Sequence, residues 1–397
     1  MEPRSFVGPL ALTAEGYKEE LHRLGYGPRS ERRQMCLLAH LSEWISDKEI
    51  PPEEVTSVVV TAFLVERRRL GLRLMTRSGA RPLLDYLRRQ GVIPEDLEPR
   101  SGPLASLLER YHSYLTRQRG LGLETVANYE AVAKTFINAT GVLNESDLRA
   151  LTLADVSCFV INASKPTVRK SPRDVMPLLR SFLRFLHIEG MTSTPLARAV
   201  PTYRSWRGGR LPRSLSPGEI DRLLRSCDTR TSIGLRDHAI LVLLSRLGLR
   251  AGEVEAMTLD DIDWHAGEFV VHGKGPRIDR LPIPTDVGEA IAAYLRDGRP
   301  HGHGRHLFMT ARAPLVGLSR RGVTAVVSQA CERAGIARVG AHRLRHSAAT
   351  AMLRSGASLP EIGQVLRHRS VDTTAIYAKV DHAALSLVAR PWPGVAS

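Results

Sequence analysis

Leu366-Arg367-His368-Arg369-Ser370-Val371-Asp372-Thr373-Thr374-Ala375-Ile376-Tyr377 is the stretch on which the reading of this chain turns. A histidine is followed nine positions later by a tyrosine. Taken alone, a tyrosine closing an apolar stretch is more often a core side chain with a satisfied hydroxyl than a nucleophile. Upstream stands His342-Arg343-Leu344-Arg345-His346, ahead of the helical run Ser347 to Leu353. At i and i+3, His342 and Arg345 share a helical face, so an imidazole and a guanidinium converge on one small anionic group. Such pairs are usually surface or packing features. Earlier still, Leu235 to Leu241 opens an apolar helix leading through Leu247-Gly248-Leu249-Arg250 to Ala251-Gly252-Glu253. An arginine after a glycine-marked helix break either points back into a cleft or is a plain helix-start charge. Glu253, one turn on, is placed to orient it.

Outward from these motifs, helical periodicity dominates, as in Glu109 to Leu115, Tyr129 to Ile137, Val175 to Ile188 and Ala239 to Leu247. The exception is Glu268 to His272, a turn at Gly273-Lys274-Gly275, and a second extended run from Arg277 to Ile283. That pattern predicts a β-hairpin with a lysine at its tip. The fold class expected is mainly α with a small β-hairpin or sheet. Asp260, Asp261 and Asp263 follow a helix and read as turn and capping residues.

The 397 residues carry 56 Lys and Arg against 41 Asp and Glu, a net charge of +15 spread along the chain. A polyanion is the first partner this suggests, because phosphate neutralisation supplies most non-specific nucleic-acid affinity. No stretch approaches the length of a membrane span. The four cysteines, Cys36, Cys158, Cys227 and Cys331, lie far apart without a C-x-x-C pair. They read as small buried hydrophobes in a reducing cytoplasm.

Composition breaks divide the chain. Pro94 to Pro103 is a polar, proline-bearing joint. Pro201 to Ser214 is an extended basic connector carrying Arg204, Arg207, Arg210 and Arg213, which either is solvated or lies along a DNA backbone. Ser216-Pro217-Gly218-Glu219 then opens a helix with a capping serine, a first-position proline and a third-position glutamate. The expected divisions are 1–98, an accessory helical module; 99–200, a helical module; 201–214, the linker; and 215–390, the domain holding the motifs. A weak echo at a spacing of roughly 95 residues hints at duplication of the first module. Tyr17 to Leu21 is similar to Tyr111 to Leu115, Arg33 to Leu41 to Tyr129 to Ile137, and Pro82-Leu83-Leu84 to Pro177-Leu178-Leu179. Chance likeness of amphipathic helices explains it equally well.

The motifs G-L-R-x-x-E, a G-K-G hairpin, H-x-L-R-H, and L-x-H followed by T-T-x-x-Y occur in this order at sensible spacing. In that order they resemble the tyrosine recombinases of the phage integrase family, over about residues 103–381. The resemblance implies a helical core-binding domain and an α+β catalytic domain closing as a C-shaped clamp on duplex DNA, with Arg250, Lys274, His342, Arg345, His368 and Tyr377 as catalytic residues. Two permanently charged guanidiniums, Arg250 and Arg345, suit the charge that builds on phosphate oxygens as five-coordinate phosphorus forms. Tyr377 is then the nucleophile, forming a 3′-phosphotyrosine that stores the bond energy for rejoining. His342 helps remove the phenol proton, Lys274 donates to the departing 5′ oxygen, and His368 bonds the phosphate or shapes the pocket. His346, the rival to His342, fits a structural role better. Arg367 stands where the family commonly has glycine, and reads as an added phosphate contact or a surface charge.

No metal, nucleotide or other cofactor is implied, since no G-x-x-x-x-G-K-[ST] loop and no carboxylate cluster stands out. The partners implied are double-stranded DNA and further copies of the chain, a dimer on a site and a tetramer in the synapse, with an accessory or sister recombinase as a further option and no membrane. A helix over Ala378 to Ala389 docks on a neighbour or packs on its own subunit. The accessory module favours a mobile-element enzyme, with integration, excision, transposition and replicon-dimer resolution all open as its task. Competing readings are a non-catalytic DNA-binding architectural protein of the same fold and a metal-dependent transposase or nuclease; the six-residue set weighs against the first.

Overall fold

Apolar residues returning every three or four positions make most of this chain helical, and the computed structural model describes residues 7–71, 77–94, 104–164, 172–202, 214–273, 278–301, 304–367 and 374. The first eight helices are Ala14–Arg23 (α1), Pro28–Asp47 (α2), Ser57–Arg69 (α3), Arg77–Arg89 (α4), Ala105–Ser113 (α5), Leu123–Thr140 (α6), Leu153–Ala163 (α7) and Pro172–Ile188 (α8). Next come Pro217–Arg225 (α9), Ser232–Arg246 (α10) and Ala251–Ala256 (α11). Strands Ile262–Asp263 (β1), Glu268–His272 (β2) and Ile278–Pro282 (β3) follow, then Thr285–Ala293 (α12), Arg320–Arg333 (α13), Ala341–Arg354 (α14) and Leu359–Val365 (α15). The mainly helical class with one small sheet is as the sequence indicated. Among the described residues no helix is long and apolar enough to cross a membrane.

The chain divides into two compact units, Met1–Trp44 with Ala80–Tyr86 and Arg207–Ser397, and Ile45–Gly79 with Leu87–Trp206. Segment 1–98 is therefore shared between both. In the second unit, α5 to α8 bury an aromatic core. Tyr111 meets Phe182 edge-on at 5.0 Å and Phe136 meets Phe159 at 5.2 Å, the geometry that ring quadrupoles favour. Thr152 starts α7 with a capping box shared with Asp155.

In the first unit, Tyr17 of α1 is fully buried and donates its hydroxyl to Gln34 Oε1 at 2.9 Å. The repeat echo has a counterpart in burial: Tyr17 and Leu21, like Tyr111 and Leu115, are wholly inaccessible, and Pro82 and Pro177 each lie inside a helix, α4 and α8. The Leu315 N–H donates to the Leu24 carbonyl at 2.8 Å, joining the turn after α1 to the loop before α13. Cys227 and Cys331 are buried as expected, but Cys158 is exposed and Cys36 only half-buried; none of the four forms a disulfide.

The remainder of the first unit packs around α10. Its central residues, Ala239 through Leu244, are all buried, which is why this helix reads as apolar on every side. Ser216 makes the expected capping box with Glu219, and the Leu215 N–H reaches Ser347 Oγ of α14 at 2.7 Å. Strand β2 pairs antiparallel with β1 and β3, with Phe269 opposite Leu281 and Val271 opposite Asp279. Phe269 and Val271 face the core, so the alternation sets the register. The two-residue β1 was not legible in the sequence. Asp261 does cap, accepting the Thr258 N–H at 2.7 Å, and its other oxygen meets His272 Nε2 at 2.8 Å. Residues 274–277, including the hairpin tip, lie outside the described residues, as does 203–213 of the linker.

Gly248 ends the link from α10 toward α11 at φ +60°, in the left-handed region. A Cβ there would fall 2.6 Å from Leu366 Cδ2 and 3.5 Å from Arg345 Cγ. Gly248→Ala is therefore expected to lower stability by about 2 kcal/mol or more. Thermal unfolding of the two proteins measures this, and an unchanged melting temperature contradicts the close packing.

Candidate active site

Arg345 lies one turn into α14 and is only 2% exposed. A guanidinium cannot shed its proton there, so it must be fully solvated by protein acceptors. Nη1 donates to the Gly248 carbonyl at 2.6 Å and Nη2 to the Leu366 carbonyl. One buried cation thus ties the bend before α11 to the end of α15.

Arg250 caps the start of α11. Its backbone N–H donates to Glu253 Oε2 at 2.8 Å and its Nη1 to Oε1 at 2.5 Å, while Nη2 lies 3.4 Å from the Arg367 carbonyl. The two arginines therefore hold neighbouring carbonyls, those of Leu366 and Arg367. Glu253 is 4% exposed. Burial alone would raise its pKa, but Arg367 and Arg250 outweigh that and hold the carboxyl below its usual range.

Arg367 corrects the sequence reading. It is buried, at 4% exposure, and its Nη2 donates to Glu253 Oε2 at 2.8 Å. It is neither a surface charge nor a group extended toward solvent. Its backbone adopts φ +55°, a left-handed geometry that glycine takes without strain.

His342 sits on the solvent side of α14, its ring edge-on to His346 with centroids 4.4 Å apart. Partial desolvation, then the charges of Arg345 and Arg250, lower its pKa, leaving a neutral imidazole able to accept a proton near pH 7. His346 is lowered further, to about 4, by burial and by His342, Arg345 and Arg343.

Of the six residues singled out, Arg250, His342 and Arg345 lie in one cluster, joined by adjacent carbonyls and mutual charge. Lys274, His368 and Tyr377 lie outside the described residues, as does 378–389. Thr374, three positions before Tyr377, is described and buried; a Cβ on Gly363 of α15 would come within 3.0 Å of its Oγ1. What sequence reasoning missed is the inward course of Arg367. Its only signal was the replacement of a glycine.

A model of the phage integrase family matches residues 213–384. A Sinorhizobium fredii protein that bears the name "Putative integrase/recombinase y4rA" is 39% identical over 397 residues, 98% of this chain and 96% of that protein. Tyrosine recombinase XerD of Mycobacterium tuberculosis is 34% identical over 309 residues, 73% of this chain and 97% of the relative. Among solved structures, a lambda integrase dimer bound to a COC′ core site aligns with TM-score 0.55 and 18% identity, covering 84% of this chain and 88% of that one. The XerH recombinase bound to a palindromic difH substrate aligns with TM-score 0.53 and 19% identity, covering 71% and 83%. The fold is thus that of the DNA strand-breaking and rejoining recombinases. The chain belongs to the phage integrase family of tyrosine recombinases.

The depressed pKa of His346 makes stability pH-dependent. Between about pH 6.5 and 4 the unfolded chain binds the proton that the folded chain refuses, so stability falls as pH falls through that window. After allowance for partial exposure, the loss between pH 7 and pH 5 is on the order of 1 kcal/mol. His346→Gln should flatten that slope in melting curves; an unchanged slope places the acid sensitivity elsewhere.

Proposed function

We propose that this chain cleaves and rejoins a specific DNA site through a 3′-phosphotyrosine on Tyr377, with Arg250, Lys274, His342, Arg345 and His368 around the reacting phosphate, and that a mobile element encodes it. The observation that carries the reading is the convergence of the Arg250 and Arg345 guanidiniums on the adjacent carbonyls of Leu366 and Arg367, immediately before His368. A non-bridging phosphate oxygen is the same kind of acceptor with greater charge, so DNA competes well for these donors.

As the phenol oxygen of Tyr377 attacks phosphorus, negative charge grows on the non-bridging oxygens. Two guanidiniums already grouped beside it stabilise that state more than the ground state. Neutral His342 takes the phenol proton. The P–O5′ bond breaks as the P–O bond to tyrosine forms, and Lys274 protonates the departing 5′ oxygen, so the free 5′ hydroxyl is available to reverse the step on a new strand. The net charge of +15 supports binding to duplex DNA, and the DNA-bound dimer of lambda integrase supports assembly of several copies on a site. We assign segment 99–200 to core binding, 201–214 to a basic linker and 215–390 to catalysis. The matching pattern of buried tyrosines and helix-embedded prolines supports a diverged second copy of the core-binding module within 1–98.

The test is covalent capture of a nicked duplex from a random-sequence pool, under denaturing conditions and without divalent metal. The chain should retain specific duplexes, and Tyr377→Phe should retain none while shifting the same duplexes in salt-sensitive fashion. A chain that binds but never captures is an architectural protein; capture that persists in Tyr377→Phe moves the nucleophile elsewhere. For Lys274→Ala, a 5′-bridging sulfur, which leaves without protonation, should recover most of a roughly 100-fold or greater loss in cleavage rate. Equal impairment on both substrates removes the proton-donor role.

A further inference from the structure

Glu253 is a buried carboxylate held from two sides. Its Oε1 takes Arg250 Nη1 at 2.5 Å, and its Oε2 takes both the Arg250 backbone N–H and Arg367 Nη2, each at 2.8 Å. We propose that Arg367 is a positioning residue for strand cleavage: by occupying the second oxygen of Glu253, it leaves Arg250 oriented by the carboxylate but not neutralised by it. The inference rests on Arg250 as a phosphate ligand and adds a residue that never touches DNA.

The electrostatics carry the argument. An arginine and a carboxylate in contact form a nearly neutral pair, and a neutral pair attracts phosphate weakly. Adding Arg367 makes the trio, two cations and one anion, net positive. With little water around Glu253, that difference is poorly screened. The geometry supplies the orientation. With Oε2 engaged by two donors, the carboxylate cannot rotate, and Oε1 stays directed at Arg250 Nη1. Arg367 also meets Arg250 directly, since its carbonyl lies 3.4 Å from Arg250 Nη2.

Arg367 is also costly to the fold, which a packing residue need not be. It holds a left-handed backbone at φ +55°, and its Nε is buried without a hydrogen-bond partner. Its Nη1 donates back to the Val365 carbonyl at 2.9 Å, which fixes the curl that sends the side chain inward. Other charged or titratable groups near the trio are Arg345 and His342 of α14, whose charges register at one another, and Arg320 of α13, whose Cδ lies 3.9 Å from a Cβ built on Gly252. Glu253 is the carboxylate that bonds both arginines, so removing Arg367 changes the field at Arg250 through it.

The experiment measures single-turnover adduct formation by the full chain on a duplex captured as above, together with binding and melting temperature. Arg367→Gln and Arg367→Gly should each cleave about tenfold or more slowly while binding within about twofold of the unmutated chain, and Arg367→Lys should stay within about threefold. Arg367→Gly relieves the left-handed strain, so slow cleavage in a variant that melts no lower is not loss of fold. In a Glu253→Gln background, Arg367→Gln should produce no further slowing, because the carboxylate through which it acts is gone. Full speed in Arg367→Gln, equal slowing by Lys and Gln, or the same slowing in both backgrounds overturns the proposal. Arg250→Lys is the separate control: full-rate cleavage there refutes Arg250 as phosphate ligand, whatever the Arg367 variants do.

Discussion

Buried positive charge is the constraint on which the helical unit around α10 depends. Arg345 is fully enclosed and always ionised, so the chain must bring acceptors to it; the carbonyls of Gly248 and Leu366 are those acceptors. They come from segments more than a hundred residues apart in sequence. Meeting that one requirement closes the bend after α10 onto the end of α15, which in turn places Arg250 beside Arg367 and Glu253. The left-handed turn at Gly248 is a consequence, since a side chain there would strike Leu366 and Arg345. Fold and site are here the same set of contacts.

The charge balance fits the phosphodiester chemistry proposed for the cluster. A lone guanidinium in the interior is costly, and a guanidinium fully matched by a carboxylate is inert toward anions. Glu253 shared between Arg250 and Arg367 lies between those limits: the cations are held, yet the group remains positive. His342 beside them, its pKa lowered, is a neutral imidazole that needs no counter-ion, as the proposed proton acceptor requires. The half-exposed Arg250 faces solvent while Arg345 and Arg367 are interior, so the positive field opens in one direction.

Much of this was legible in the sequence because it rests on local rules. The Ser216 box, the period-two pattern of β2 and β3 and the apolar run of α10 each have a short-range cause. The grouping of the four motifs was legible through their order and through likeness to the family. What the sequence withheld depends on tertiary context. A charged residue such as Arg367 reads as solvent-facing by default, and the buried Glu253, far away in sequence, draws it inward. Strand β1 is two residues long and exists through pairing with β2. Cys158 is exposed because it falls on the outer side of α7, where helical pattern alone does not distinguish a small apolar residue from a core one. The division of 1–98 between two compact units likewise follows from long-range packing that spacing cannot reveal.

The most direct measurement is an experimental structure of the chain trapped as its covalent adduct on a captured duplex. It should show a phosphorus bonded to the Tyr377 oxygen, with Arg250 and Arg345 each donating to its non-bridging oxygens and Glu253 still bridging Arg250 and Arg367. A phosphorus joined to another side chain, or a phosphotyrosine with both guanidiniums still turned to the Leu366 and Arg367 carbonyls and away from the phosphate, would contradict the assignment.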